Sequence, residues 1–361
     1  MRKAVISLFT ALITLPLFTA CDIHEWPTPL EIVPVHVKLS YNGKDGKGEY
    51  AKWDQWLHTY EGSKVTEEGK GEREDEFVKS GSMRYVLRIY PRTVNRAANR
   101  DYIKEIVVTK DISDDYDFDF NLDVPPGKYS IMLWSDFLKD GKESYYDCDD
   151  FSEITLNPNH EGNTDLRDAF RGVRDIEISS NYVNAHPDEY TLDMQRPLAK
   201  FEFITNDLEM FIENEITRLS IKNNGEIKDS ENAPETRVNI NDYKVVFYYV
   251  GFMPNTYNMN TDKPVDSSTG VFFESTLKRL NENEASVGFD YVFVNGTESA
   301  VTVQIGLYDN EETLISLTSP IKVPLRRSNH TILTGKFLTS KASGGLSINP
   351  EFDGEFNLVI P

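Results

Sequence analysis

Apolar and polar residues alternate along much of this chain of 361 residues. The alternation is strictest over residues 117–124, where Phe118, Phe120, Leu122 and Val124 fall on one side and polar side chains on the other. A period of two residues is typical of a half-buried β-strand. The same pattern predicts strands at residues 33–39, 83–89, 301–307 and 356–360.

Helical periodicity is scarce by comparison. Leu208, Phe211 and Ile212 predict a helix that follows a cap at Asn206, and a second short helical stretch is expected around residues 165–170. Short strands, few helices and frequent Pro-Gly and Asn-Gly turn signals favour antiparallel β-sandwiches. We therefore expect an all-β fold.

The length is sufficient for two domains of roughly 150 residues each. A polar stretch at residues 184–197 ends in Arg196-Pro197, after which Ala199, Phe201 and Phe203 begin a new alternating strand. We therefore expect an N-terminal domain over residues 35–190 and a C-terminal domain over residues 191–361.

Residues 1–20 have the composition of a secretory signal peptide. Arg2 and Lys3 precede an apolar run that is broken at Pro16 and is too short for a comfortable membrane span. Small residues stand directly before Cys21, so the segment resembles a bacterial lipoprotein signal, in which the cysteine thiol is diacylated. The alternative is an ordinary cleaved signal with an incidental cysteine.

Residues 21–34 follow as an extended spacer, because Pro27, Pro29 and Pro34 stiffen the chain. If Cys21 carries lipid, Cys148 is the one remaining thiol, and an intramolecular disulfide is impossible. Two or three acyl chains on Cys21 would hold the protein stably on a membrane. Apart from this covalent lipid, we expect no cofactor.

The charge narrows the range of partners. The 38 basic and 59 acidic residues give a net charge of -21, and no block of Lys and Arg stands out. Phosphate binding needs a basic face, so nucleic acid is excluded as the main partner.

Candidate chemical sites are few. The aspartates between Asp111 and Asp123 invite calcium, but the glycine and glutamate of an EF-hand loop are absent and the spacing also fits the wet face of a strand. Asp147, Cys148, Asp149 and Asp150 could bind a cation through their carboxylates, but cysteine is a poor ligand for a hard cation, and a solvated loop is the default interpretation. Neither zinc-binding spacings nor hydrolase or phosphate-loop motifs occur in the sequence. We therefore expect no enzymatic activity and name no catalytic or metal-binding residue.

One aromatic cluster has two interpretations. Trp53, Trp56, Leu57 and Tyr60 have spacings that place them on one face of a helical turn. Such a stripe packs onto a sheet as part of the core, or it forms a platform on which a sugar ring stacks. Trp53, Trp56 and Tyr60 are therefore the candidate ligand platform.

Several segments resemble the fimbrillin-type lipoproteins of Bacteroidales, in order along the whole mature chain. They are residues 21–27 (CDIHEWP), 126–129 (PGKY), 134–137 (WSDF), 196–203 (RPLAKFEF), 321–338 and 352–355 (FDGE). In physical terms, Trp134 is expected to be a core residue and Asp136 to cap the next turn.

The resemblance implies two transthyretin-like, Greek-key β-sandwich domains behind the lipoprotein signal, anchored by lipid at the outer membrane and exposed on the cell surface. It also implies partners, since subunits of this family assemble by strand exchange, in which a segment of one chain completes the sheet of the next. The candidate exchange segments are the two terminal strands, with Val33, Val35, Val37 and Leu39 in the first and Phe356, Leu358 and Ile360 in the second. Both are alternatively ordinary edge strands.

Stem subunits of the family are cleaved after an arginine before they polymerise, and no arginine lies between Cys21 and Arg73. This favours a fimbrial anchor or an accessory or tip subunit, which takes part in pilus assembly and adhesion without enzymatic activity. The alternative function is a surface glycan-binding or adhesin lipoprotein with a host or glycan ligand.

Overall fold

A computed structural model describes residues 31–41, 52–72, 80–92, 101–113, 118–179, 188–222, 238–295 and 298–340. These residues form 23 β-strands and one α-helix. The strands of the first half are β1 (Val33–Tyr41), β2 (Asp54–Glu61), β3 (Lys64–Lys70), β4 (Ser80–Pro91), β5 (Lys104–Ser113), β6 (Asp119–Val124), β7 (Gly127–Lys139), β8 (Glu143–Ser144), β9 (Tyr146–Asp147), β10 (Ile154–Leu156), β11 (Ala169–Ile178) and β12 (Asp188–Met194).

The second half begins with β13 (Leu198–Thr205) and the helix α1 (Leu208–Lys222). The remaining strands are β14 (Lys244–Tyr249), β15 (Met253–Asn258), β16 (Lys263–Ser268), β17 (Phe272–Thr276), β18 (Lys278–Arg279), β19 (Ala285–Phe293), β20 (Ser299–Tyr308), β21 (Leu314–Leu317), β22 (Ile321–Leu325) and β23 (Asn329–Gly335). Single 3-10 turns lie at Asp165–Arg167 and Ile240–Asp242.

The first sandwich consists of a three-stranded sheet, β12-β1-β6, that faces the sheet β11-β7-β4-β5. The strand β6 shows why the sequence folds this way, since Phe120, Leu122 and Val124 are buried and the residues between them are exposed. The alternating side chains of β1, β4 and β7 complete the same core. Period-two alternation thus produces one dry face for each sheet.

The second sandwich packs the six-stranded sheet β18-β19-β13-β23-β2-β3 against the sheet β17-β14-β20-β21, with β22 also on β20. Its core contains Phe201, Phe203, Phe247 and Phe273, and the Phe247 and Phe273 rings stack with centroids 4.6 Å apart. The helix α1 covers one end through Leu208, Phe211 and Ile212.

A third buried layer joins the two sandwiches. It contains Met132 and Trp134 from β7, and Tyr291 and Phe293 from β19. The small sheet β16-β15-β10-β9 contributes Tyr257 and Ile154 to the same layer. At this junction, the sheet that contains β7 and the sheet that contains β19 therefore each bury side chains on the face that points away from their own sandwich core.

These observations confirm the all-β fold, the β-sandwich architecture and the helix after Asn206. The prediction of a helical turn at Trp53, Trp56 and Tyr60 is wrong, because Asp54–Glu61 is the strand β2. Residues four apart share a face in both structures, so the spacing of Trp56 and Tyr60 does not separate a helix from a strand.

The two sandwiches do not divide at the domain boundary that the sequence predicts, between residues 190 and 191. That position lies inside β12, which pairs in parallel with β1 of the first sandwich as far as Met194. The strand β2, from the first half of the chain, pairs in parallel with β23 and so extends the second sandwich. The new strand expected after Arg196-Pro197 is β13.

Candidate functional site

The first predicted exchange segment is a central strand. Val33, Val35, Val37 and Leu39 are at most 4% exposed. The strand β1 that carries them pairs with β6 on one side and β12 on the other. The alternative interpretation of this segment as an ordinary edge strand is therefore wrong, and its removal would break two ladders and open the core.

The other predicted anchoring and exchange residues lie outside the described residues. They are Cys21, with the signal peptide and most of the spacer, and Phe356, Leu358 and Ile360. Their roles stay predictions.

The three aromatic residues of the predicted ligand platform are buried in separate places. Trp53 packs into the junction layer, Tyr60 packs into the second sandwich, and the Arg326 guanidinium lies 3.6 Å from the Trp56 ring. Each side chain is at most 8% exposed, which leaves little ring surface for a sugar.

A buried ion pair crosses the junction at Arg196. The Nε of Arg196 donates to both carboxylate oxygens of Asp168 at 2.9 Å, and the two residues are at most 1% exposed. The guanidinium lies 3.9 Å from the Trp53 ring and 4.8 Å from the Phe170 ring. Arg196, which lies two residues before β13, thus contacts the first sandwich by charge and by cation–π stacking.

A second buried group surrounds Asp290, which is fully buried. Arg167 donates to Asp290 Oδ1, while Tyr249 Oη donates to Oδ2 at 2.5 Å and His160 Nε2 lies 2.7 Å from the same oxygen. Burial opposes ionisation of Asp290, but Arg167 and His160 outweigh it and hold the pKa of that carboxyl below its usual range. Burial lowers the pKa of His160, and Arg167 adds to this effect.

A third ion pair holds the Trp-x-Asp motif. Trp134 is fully buried, as expected, but Asp136 does not cap a turn. It accepts two hydrogen bonds from Arg84 of the neighbouring strand, at 2.9 and 2.8 Å. Sequence spacing gave no sign of this pair, because Arg84 and Asp136 meet only when β4 and β7 are in register.

One long sheet edge is open. The strand β5 pairs with β4 on one side, and no strand in the described part of the chain pairs with its other side. Val107 on this strand is 57% exposed and Ile103 just before it is 47% exposed. An exposed, alternating edge is a template for pairing with another chain.

Two surface clefts lie on the second sandwich. The first, which we call the polar cleft, has a volume of about 830 Å³ and includes Lys200 and Glu202. Its polar groups bond to one another, with Lys200 2.8 Å from Asp165 and Ser286 donating to Glu202 at 2.6 Å. The second, which we call the elbow cleft, has a volume of about 890 Å³ and lies where β14 gives way to β15.

No group of three or more metal-ligating side chains occurs among the described residues. The Asp147–Asp150 loop contains Cys148, a free and buried thiol whose pKa burial raises to about 12. Within the same described ranges, no helix is both long and apolar enough to cross a membrane.

Comparison with known proteins gives distant structural likenesses. The chain is similar to a candidate polysaccharide-binding protein from Bacteroides thetaiotaomicron, with a TM-score of 0.41, 10% identity and 79% of each chain covered. It is similar to a candidate adhesin from Bacteroides ovatus, with a TM-score of 0.39, 10% identity, and 88% of this chain and 95% of that chain covered. For the fimbrial anchor protein Mfa2 from Porphyromonas gingivalis the TM-score is 0.36 at 8% identity, with 79% and 82% covered. Likenesses at these scores assign no function.

None of the curated proteins compared with this sequence matches it. A family model does match, over residues 50–361, which is most of the chain. The protein therefore belongs to DUF6562, a family of unknown function.

Proposed function

We propose that the protein is a lipid-anchored, non-enzymatic fimbrial subunit, an anchor or an accessory or tip subunit, at the surface of the outer membrane. The observation that carries the proposal is the position of the residues that resemble fimbrillin-type lipoproteins. Trp134 and Leu198 lie in the junction layer, and Arg196 pairs across that junction with Asp168. These residues hold two sandwiches together, which is a structural role.

A subunit that links a membrane to a filament must transmit force without its domains separating. The junction is suited to this, because Trp134, Tyr291 and Phe293 are buried there and the buried Arg196–Asp168 pair joins the start of the second sandwich to the first. Buried aromatic layers of this kind supply most of the free energy that resists separation.

The membrane attachment is assigned to Cys21. The cysteine follows a signal peptide, and Pro27 and Pro29 hold the folded part, which begins with β1 at Val33, away from the bilayer. The net charge of -21 supports this arrangement, since anionic surfaces repel the folded part unless divalent cations intervene.

We propose that the protein contacts other subunits by strand addition, in which a strand of one chain pairs with the edge of a sheet in another. Because β1 is central, we place the acceptor at the open edge of β5 and keep Phe356, Leu358 and Ile360 as the donor candidates. Main-chain hydrogen bonds to β5 would add a strand to the sheet β11-β7-β4-β5.

Membrane fractionation tests the anchor. We expect Cys21→Ala to move the protein from the membrane fraction to the soluble fraction and to release any filaments bound to it. Cys148→Ala is the matched control, because it removes the buried thiol and leaves the lipid site intact. If Cys21→Ala still sediments with membranes as the control does, lipid anchoring at this residue is refuted.

A further inference from the structure

The elbow cleft is built by a break in a two-stranded ribbon. The strands β14 and β17 pair as far as Tyr248 and Phe272, and β15 and β16 pair from Met253 and Ser268. The ribbon therefore passes from the second sandwich into the small sheet at residues 250–252 and 269–271, which we call the elbow.

Glycines make this bend possible. Gly251 has φ +103° and Gly270 has φ +68°, so both strands of the elbow contain a residue in a conformation that L side chains rarely adopt. The Tyr249 N–H still donates to the Val271 carbonyl at 2.9 Å, so the bend is held by hydrogen bonding.

The bend leaves a cleft between the ribbon and the loop at residues 157–162. Its volume, about 890 Å³, is in the range of small-molecule sites, which run from about 300 to 1,000 Å³. Val271, Met253 and Phe273 supply apolar lining, while Asn159, Asn255 and Thr269 supply amides and a hydroxyl.

An exposed aromatic ring stands at this cleft. Phe272 lines it and is 56% exposed. Phe252, which precedes the cleft residue Met253, is 74% exposed. Most of the protein's aromatic rings are packed into cores, so two phenylalanines left open at one bend of one ribbon indicate a surface kept for a ligand.

The charge of the cleft limits the ligand. Its acidic residues, Glu161 and Glu274, are paired with Lys139 at 2.6 Å and Lys244 at 3.3 Å. The lining thus has no surplus positive charge to attract an anion. Amides and hydroxyls beside an aromatic face instead match a molecule with many hydroxyls and a flat apolar side.

We propose that the elbow cleft binds a neutral oligosaccharide, with one sugar ring stacked on Phe272 and its hydroxyls bonded to the Asn159 amide. The inference rests on the proposed surface role and names the ligand class for its adhesive part. The ring that contacts the sugar is then the exposed Phe272 and not the buried Trp53, Trp56 or Tyr60 of the sequence prediction.

Calorimetric titration tests the proposal. The full-length protein, in a detergent without sugar groups, is titrated with neutral hexasaccharides of glucose, mannose and xylose and with an oligogalacturonate. We expect saturable binding of at least one neutral sugar and none of the acidic one. Phe272→Ala should weaken binding at least tenfold, and Phe272→Trp should retain it.

Val265→Ala is the matched control, because Val265 is an apolar residue on the same ribbon, 51% exposed, that does not line the cleft. If Phe272→Ala does not fold by circular dichroism, Asn159→Ala replaces it, since Asn159 is an exposed loop residue and should also weaken binding.

Absence of binding to every neutral sugar, binding of the acidic sugar alone, or equal affinity in Phe272→Ala and Val265→Ala overturns the proposal. Any of these results leaves the membrane anchoring of Cys21 untouched, because the titration does not depend on it. Conversely, failure of the fractionation experiment leaves the sugar site intact.

Discussion

The buried pair at the junction allows a quantitative prediction. In Asp168→Asn the carboxylate is replaced by an amide of almost the same shape, so packing is kept and one charge is removed. Arg196 then remains about 99% buried with its guanidinium against Trp53 and loses the carboxylate to which its Nε donates. Removing one partner of a buried ion pair typically costs about 3–5 kcal/mol.

Hydrogen bonds hold the Asp168 carboxylate in place beside Arg196. Asp168 also accepts a hydrogen bond from the Ala169 N–H at 2.9 Å, so the carboxylate is fixed as well as paired. We therefore expect the free energy of unfolding to fall by about 3–5 kcal/mol. At an unfolding entropy of about 2.1 cal/mol/K per residue, a chain of 361 residues loses about 1.3 °C per kcal/mol, so the melting temperature should fall by roughly 4–7 °C.

Urea unfolding and calorimetry measure the effect, with Glu177→Gln as the control. The Lys128 and Glu177 side chains are 62% and 66% exposed and lie 3.4 Å apart, so this pair contributes less than about 1 kcal/mol. The double variant Asp168→Leu with Arg196→Met should recover most of the stability, because it removes both charges of the buried pair. A loss for Asp168→Asn no larger than that for Glu177→Gln would show that the buried pair does not stabilise the junction.

Three further predictions concern other parts of the fold. Because the pKa of His160 is lowered in the folded protein, the unfolded chain takes up the proton first as the pH falls. The stability that depends on His160 is therefore complete above about pH 6.5 and declines below it. Urea unfolding at several pH values should show a fall in the free energy of unfolding below this pH that His160→Gln lacks, and an equal fall in His160→Gln would contradict this. In Gly270→Ala the added Cβ meets no atom within 4 Å, but the alanine must adopt φ +68°. We therefore expect urea midpoints to show a loss of about 1–2 kcal/mol for Gly270→Ala and a smaller loss for Gly270→Asn. Equal stability of Gly270→Ala and the parent protein would count against strain at the elbow. Cys148, with its pKa raised to about 12, should resist iodoacetamide in the native protein at pH 8 and react in denaturant, and rapid native alkylation measured by mass spectrometry would disprove its burial.

Local patterns in the sequence predicted strands well. The alternation around Phe120 and Leu122 is the strand β6, and the alternation around Val303 and Ile305 is β20. Both predictions succeed because side-chain alternation depends on neighbours along the chain. The helix after Asn206 succeeds for the same reason.

Long-range pairings could not be predicted in this way. The strand β2 pairs with β23, so that Trp56 lies beside Thr331, and no local pattern specifies that partner. The central position of β1 likewise depends on β12, which follows it by about 150 residues. A terminal, alternating segment has the same sequence signature whether it lies at the edge or in the middle of a sheet.

The candidate sites show the same division. Trp53 and Trp56 stand out in the sequence because tryptophan is rare, yet both are buried. Phe252 and Phe272 are two of 20 phenylalanines, and their exposure follows from a bend at two glycines that only the folded ribbon reveals. Exposure of an aromatic residue depends on sheet topology, which composition and spacing do not contain.

Crosslinking in intact cells shows whether this protein is joined to other subunits at the cell surface. A photoreactive amino acid is placed at Val107 on the open edge of β5 or, as the control, at Met210 on α1, which is 44% exposed. We expect Val107 to yield a discrete adduct with another surface chain, mapped by mass spectrometry to an extended segment, while Met210 does not. Recovery of uncrosslinked protein alone from both positions, in cells that assemble filaments, would contradict it.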